Sequence, residues 1–411
     1  MINALEVDGA RLWESLMASA AIGTTAKGGL CRMALTDDDR AMRDLFVRWC
    51  EDTGLAVSVD RVGNIFARRP GTCDGEKPVM MGSHLDTQIR GGRFDGILGV
   101  LAGLEVIRTL NDRSIETRKP IEIVCWTNEE GVRFQPPMMG AGAFAGVHDV
   151  AWILSQVGED DSVFGDELER IGYAGRHDRD FRDIDSYFEL HIEQGPVLFE
   201  EGVSVGIVTG GFTSYGAQVH FYGENAHSGP TQMRARKDAL VGLAGLVNSV
   251  NAIGWEYEPK GRTTSTRVEI SPNRYGIIAD EAEVTVDVRH PNAAKSLEMY
   301  DKVKAAVSAS AQHANVKAEV VKEWSFGDVS FDSGLVNLVR SVSAELQISH
   351  KHMLSAAGHD AYHVAKVAPA VMIFTPCKDG ISHNEAEEIK LDYTVPGVNV
   401  LLNSVLRRAN Q

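Results

Sequence analysis

Short apolar runs that end in polar residues recur along this chain: residues 78–84 (PVMMGSH), 121–130 (IEIVCWTNEE), 186–194 (SYFELHIEQ) and 368–377 (APAVMIFTPC). Runs of this kind suit strands buried on both faces. Between the first two, residues 96–110 are apolar on the helical period. Strand, helix and strand in succession predict an α/β sheet with parallel portions. Upstream, residues 8–22 and 36–53 read as amphipathic helices. The second starts at Thr36 and carries Asp37, Asp38 and Asp39 in its first turn, where the helix dipole favours negative charge. Two shorter strands are predicted at 56–59 and 64–68, joined by Asp60-Arg61-Val62-Gly63.

The rhythm changes over 212–325. Residues 212–222 alternate as a strand, 235–253 read as a helix, and 263–271 and 281–289 alternate again. A helix over 294–314 and a strand over 316–324 complete the order βαββαβ, a ferredoxin-like unit. The expectation is a second domain at 212–325, inserted into a mixed-sheet α/β domain made of 1–211 and 326–411. A length of 411 residues, long for one core, points the same way.

Composition narrows the function. Hydrophobic content of 44% and charged content of 24% are those of an ordinary globular protein. A formal charge of −16 repels phosphate backbones and anionic membranes, so neither nucleic acid nor membrane is expected as a partner. Five cysteines at wide spacings, with no CxxC, fit a reducing compartment rather than a disulfide framework. The opening MINALEVDGARLWESL lacks a basic stretch followed by an apolar run, so no secretory leader is expected and the protein is placed in the cytoplasm.

The chemistry sits where the apolar runs end. Open α/β sheets place their sites at the carboxyl ends of strands. The first run ends in His84, with Asp86 two residues on to hold the ring or a neighbouring group. In Gly91-Gly92-Arg93-Phe94-Asp95-Gly96, an aspartate opens an apolar helix. It could be a helix cap, a carboxylate bridging two cations, or both. Glu129 and Glu130 close the next run. Adjacent carboxylates there divide naturally into a metal ligand and a base that takes a proton from water. His191 lies late in the third run, and His383 follows the fourth in Ser382-His383-Asn384-Glu385. Each residue alone is commonly structural. Together, His84, Asp95, Glu130, His191 and His383 form a donor set for two divalent ions, with zinc first and manganese, cobalt or nickel as alternatives. Other chemistries lack support, because neither GxxxxGK[ST] nor GxSxG occurs. Gly99 to Gly103 lies inside a helical pattern and reads as close packing.

In their order along the chain, GSHLDT, GGRFDGILGVLAGLE, TNEEGVRF, HIEQGPVL, GENAHSGPT, VDVRHP and SHNEAE resemble the metal-dependent M20 superfamily. The nearer likeness is to its amidase branch of N-carbamoyl-L-amino-acid hydrolases, β-ureidopropionases and allantoate amidohydrolases. The resemblance implies that His84, Asp95 and His191 hold one metal ion and that Asp95, Glu130 and His383 hold the other. It makes Glu129 the general base and His227 the support of the oxyanion. Arg289 would grip a substrate carboxylate, with Gln194 and His359 as further substrate contacts. It also makes the inserted unit a lid and dimerisation domain, and so implies a homodimer.

One motif departs from the branch. Relatives read PN-x-x-N-V-I-P-G before this arginine, and their second asparagine contacts substrate. Here the stretch is Pro272-Asn273-Arg274-Tyr275-Gly276-Ile277-Ile278-Ala279-Asp280, so that amide is missing at Gly276. The metal chemistry is untouched and the substrate pocket is altered. The function expected is hydrolysis of a linear amide or ureido C–N bond in a small carboxylate-bearing substrate, with an N-carbamoyl amino acid first. An N-acyl-amino-acid amidase or dipeptidase is the alternative with the same centre, and a non-catalytic metal-dependent binding protein is the alternative of another class.

Overall fold

The computed structural model of the protein describes residues 4–179 and 183–411. Its strands are β1 (Ala56–Val59), β2 (Ile65–Arg69), β3 (Val79–His84), β4 (Ile121–Trp126), β5 (Ser186–Ile192), β6 (Val205–Gly211), β7 (Thr213–Tyr222), β8 (Arg262–Ser271), β9 (Glu281–His290), β10 (Lys317–Phe326), β11 (His350–Ser355) and β12 (Ala370–Thr375). They form one eight-stranded sheet, ordered β1-β2-β4-β3-β5-β12-β6-β11, and one four-stranded sheet, ordered β10-β7-β9-β8. The chain divides into two compact units. One is Met1–Thr209 with Ser330–Met353 and His359–Gln411, and the other is Gly210–Val329 with Leu354–Gly358.

In the first unit the four apolar runs become the middle of the sheet. β4, β3, β5 and β12 are parallel, so their carboxyl ends share one edge. Every residue of these four strands is buried, which explains why they read as unbroken apolar runs rather than alternations. The antiparallel strands β2 and β6 flank them. Helix Ile97–Asp112 packs its buried residues on β3 and β5, and Gly99 permits the contact, since a Cβ there would lie 2.4 Å from the Leu190 carbonyl oxygen of β5. Helix Asp37–Asp52 begins as predicted, with the Thr36 side chain accepting from Asp39 N–H.

Two of the predicted runs stop early. β4 ends at Trp126 rather than continuing to Glu130, because Asn128 turns into the left-handed region at φ 57° and takes the chain out of the ladder. β5 ends at Ile192 for a similar reason, with Gln194 at φ 58°. Both departures free carboxylate- or amide-bearing residues from the sheet.

The second unit is the antiparallel βαββαβ arrangement, with helices Ala239–Glu256 and Ala293–Ala314 packed together. In β9 the alternation is complete: Ala282, Val284, Val286, Val288 and His290 point inward. The four apolar ones share a core with Val219 and Phe221 of β7 and Leu246, Val250, Met299 and Val303 of the helices. The first helix starts at Ala239 instead of 235, because the Asp238 side chain caps it by accepting from Leu240 and Val241 N–H.

Candidate metal centre

Two histidines at neighbouring strand ends have their tautomers fixed by backbone. His84 Nδ1 lies 2.9 Å from the Asp86 carbonyl oxygen, and His191 Nδ1 lies 2.9 Å from that of Ile192. A carbonyl only accepts, so both Nδ1 atoms carry hydrogen. In the neutral rings both Nε2 atoms then present bare lone pairs. Those lone pairs point at a carboxylate. His191 Nε2 is 3.1 Å from Asp95 Oδ1 but lacks the alignment of a hydrogen bond, and it is buried without a partner. His84 Nε2 is 3.8 Å from the same oxygen and 3.5 Å from Glu129 Oε2.

Asp95 serves a second group with its other oxygen. His383 Nε2 lies 3.3 Å from Asp95 Oδ2 and 3.5 Å from Glu130 Oε2. Thus His84, Asp95 and His191 form one potential ligand set, and Asp95, Glu130 and His383 form another. The shared carboxylate divides its oxygens between them, which is the arrangement a bridging ligand needs. The helix that follows has Gly96, not Asp95, at its N-cap, and no side chain caps it. The Asp95 carboxylate is therefore free for the centre.

The backbone around these ligands is shaped to hold them. Asp86 accepts from Glu129 N–H (3.2 Å) with one carboxylate oxygen and from Glu130 N–H (3.1 Å) with the other. Of the two roles sequence allowed Asp86, its carboxylate takes the neighbouring group, while its carbonyl holds the ring. Gly96, at φ 69°, is required by closeness as well as conformation: a Cβ there would lie 2.3 Å from the His84 ring. Gln88 Nε2 donates to Glu130 Oε2 at 2.7 Å, while Glu130 Oε1 is buried without a partner. Gln194 Nε2 donates to Asp95 Oδ2 at 2.8 Å. His383 stands in the left-handed region at φ 52°, half-exposed.

So many lone pairs facing one another need positive charge between them. In the metal-free protein, protons supply it. Burial works against charging His191 and His383, but Asp95 outweighs it and moves each up to about 9. Asp95, although buried, is held well below the usual carboxylate range by those two rings. Burial takes His84 down to about 4. Burial and the Asp95 charge push Glu130 up to about 8. Glu129 is raised by burial, then by Asp360 and Glu130. The partnerless buried atoms His191 Nε2 and Glu130 Oε1 and the mixed nitrogen and oxygen donors fit divalent metal ions of the zinc and manganese kind.

His359 is buried beside the centre, its ring 4.5 Å from that of His191. Glu189, His191 and His359 also lie within metal-ligand reach of one another. We read Glu189 there as a hydrogen-bond hub, because its oxygens already accept from Ser83 Oγ (2.8 Å) and Ala361 N–H (3.0 Å) and touch the Tyr187 hydroxyl (3.1 Å). His227 and Arg289 belong to the second unit. His227 is exposed and its Nδ1 accepts from Gly229 N–H, which leaves Nε2–H as the outward donor. Arg289 is anchored by Asp287 through Nε (2.6 Å) and by the Ala356 carbonyl through Nη1 (3.0 Å). Gly276 has φ 89° and open space where a side chain would stand.

Sequence reasoning overlooked Gln88, Glu189 and Glu387. Glu387 lies inside SHNEAE and is almost fully buried, a placement that its flanking alanine and glutamate do not reveal.

Comparison with known proteins follows the same lines. Peptidase family M20/M25/M40 matches residues 80–407. The chain is 41% identical over 403 residues to an N-carbamoyl-L-amino-acid amidohydrolase of Rhizobium meliloti, covering 98% of this chain and 97% of that protein. It is 29% identical to a ureidoglycolate hydrolase of Arabidopsis thaliana, covering 98% and 87%. A crystal structure of an amidase of the hydantoinase/carbamoylase family from Burkholderia vietnamiensis superposes with a TM-score of 0.94 at 45% identity, covering all of both chains.

Proposed function

The chain belongs to peptidase family M20/M25/M40, and from that premise we propose that it hydrolyses the ureido bond of an N-carbamoyl amino acid or a related small ureido acid. Members of this family are metal-dependent, and hydrolysis of an amide or ureido C–N bond is the activity its amidohydrolase relatives support. The observation that carries the reading is the division of the Asp95 carboxylate between two ligand sets, with the Glu129 carboxylate beside one of them.

We assign His84, Asp95 and His191 to one ion and Asp95, Glu130 and His383 to the other, with zinc first and manganese, cobalt or nickel as alternatives. When bound, such ions polarise the carbonyl of the substrate and lower the pKa of water. Glu129, held by Asp86 through its backbone N–H, takes a proton from the attacking water and returns it to the leaving nitrogen. Gln194 orients Asp95, and His359 borders the His191 ring, where it is suited to touch substrate. His227 donates from Nε2 to the developing oxyanion, a role its Gly229 contact prepares. Arg289 binds the substrate carboxylate, its guanidinium oriented by Asp287. One water then converts an N-carbamoyl amino acid to the amino acid, carbon dioxide and ammonia.

A homodimer is part of the proposal. Helix Ala239–Glu256 leaves Leu240 and Val241 exposed, and β8 is a sheet edge with Val268 exposed. Sedimentation at micromolar concentration tests it. All five cysteines are free, which supports placement in a reducing cytoplasm. Among the described residues no helix is long and apolar enough to cross a membrane.

The test of the reaction is a product-detected screen of N-carbamoyl, N-formyl and N-acyl amino acids at defined metal loading. Ammonia is measured separately from amine. Release of both from N-carbamoyl substrates is the result expected. Turnover of the N-acyl series alone would overturn it in favour of an aminoacylase.

A further inference from the structure

We propose that Glu387 is a positioning residue that fixes the spacing of the two ligand sets, by clamping the loop of Asp95 to the loop of His383. The inference rests on the assignment of those sets to metal ions. Glu387 Oε1 accepts from Phe94 N–H (2.9 Å) and from Asp95 N–H (3.2 Å). Its Oε2 accepts from Ser382 Oγ (2.9 Å), the side chain next to His383. Ser382 Oγ also lies 3.3 Å from Asp95 Oδ2. One carboxylate thus holds the backbone of the shared ligand and the neighbour of the most exposed ligand.

The surroundings are built to admit it. Glu387 is 1% exposed, and a Cβ at Gly92 would lie 2.0 Å from its carboxyl carbon. Gly92 therefore leaves the space the carboxylate occupies. The two sets depend on this clamp unequally. In the first, His84 and His191 are held by the Asp86 and Ile192 carbonyls whatever becomes of Glu387. In the second, Gln88 holds Glu130, but His383 is half-exposed and stands on the clamped loop. Loss of the clamp should weaken the ion shared by Asp95, Glu130 and His383 more than the other.

Metal-free protein titrated with zinc against a chromogenic chelator, and with cobalt(II) followed by its visible absorption, tests this without reference to turnover. Wild-type protein should take two equivalents; a single equivalent would defeat the two-ion assignment before any variant is made. For Glu387→Ala, the second equivalent should weaken roughly 10–100-fold and the first by no more than about threefold, with an altered cobalt spectrum for the second. Glu387→Gln keeps an acceptor for the two N–H groups and a donor for Ser382 Oγ, so it should restore both affinities to within about threefold of wild type. The control is Glu105→Ala, which removes a buried carboxylate that accepts from Asp8 N–H and Arg11. It should lower stability and leave both affinities in place. If Glu387→Ala does not fold, Ser382→Ala should give a smaller split in the same direction. Equal weakening of both equivalents, no weakening, or failure of Glu387→Gln to restore binding would each overturn the proposal.

Discussion

Replacing Asp86 with asparagine should separate stability from activity. The Asp86 carboxylate is buried, and burial, reinforced by Asp39, pushes its pKa from the ordinary 3.8 up to about 7 in the metal-free protein. A folded-state pKa above the unfolded value means that the folded chain holds the proton more tightly. The metal-free protein therefore loses stability as pH rises from about 4 through about 7, by roughly 4 kcal/mol for a displacement of about three pH units. Asparagine carries no charge and removes that loss. It also replaces one acceptor of the Glu129 and Glu130 N–H groups with a donor, which costs about 1–3 kcal/mol. The gain exceeds the cost, so at pH 8 the metal-free variant should be more stable than wild type by about 1–3 kcal/mol, with a flatter pH dependence between 4 and 7. Activity has no such offset. With one of its two N–H anchors gone, the Glu129–Glu130 turn loses its fixed direction, and kcat should fall roughly 10–100-fold at full metal content. Urea unfolding at several pH values and steady-state kinetics on metal-quantified protein read the two arms. Wild-type kcat, or a metal-free variant less stable than wild type at pH 8, would refute the reasoning.

Glu129→Gln should keep its metal and lose about 10²–10⁴-fold in kcat, as measured on protein of known metal content; full turnover would remove Glu129 as the base. Gly96→Ala combines a φ of 69° with a Cβ 2.3 Å from the His84 ring, so metal affinity should drop and chelator competition should show it. With His191 and His383 both raised to about 9 and Glu130 to about 8, each holds a proton at pH 7 in the metal-free protein, and metal uptake must expel them. Apparent affinity should therefore rise with pH from 7 to 9, and a weakly buffered dye should record about three protons released; uptake without acidification would contradict the charge assignment. Gly276→Asn restores the amide found in relatives at a position whose φ of 89° and open surroundings accept asparagine. It should leave thermal stability nearly unchanged and shift kcat/KM among ureido substrates by about 2–10-fold, the worth of one hydrogen bond.

The parallel centre of the sheet was legible because its four strands are buried on both faces and so appear as unbroken apolar runs. The alternating β9 was legible for the opposite reason, since one face packs on the helices and the other does not. β11 left no such mark. His350–Ser355 has only Ser355 buried, and its polar composition gives no period. β6 was missed as well, a short strand rich in glycine. At the centre, the ligands could be read because histidine and carboxylate at strand ends are chemically conspicuous. The groups that orient them were harder to see. The Asp86 and Ile192 carbonyls belong to backbone, which sequence does not distinguish. Glu387 meets Asp95 across 292 residues of sequence, and no local pattern records a contact of that separation.

The distribution of ligands along the chain also orders their assembly in time. His84, Asp95 and His191 have all been synthesised once residue 191 is made, and β3 and β5, which carry the two histidines, pair directly. His383 comes only after β12, the strand that lies beside β5. On the ligand assignment proposed above, a growing chain would have the donors of one ion in place while its second half is still being made, and such an ion would hold an immature sheet together. On the same assignment, the donors of the other ion would be complete only when His383 arrives, and that ion would act as a latch on the finished sheet.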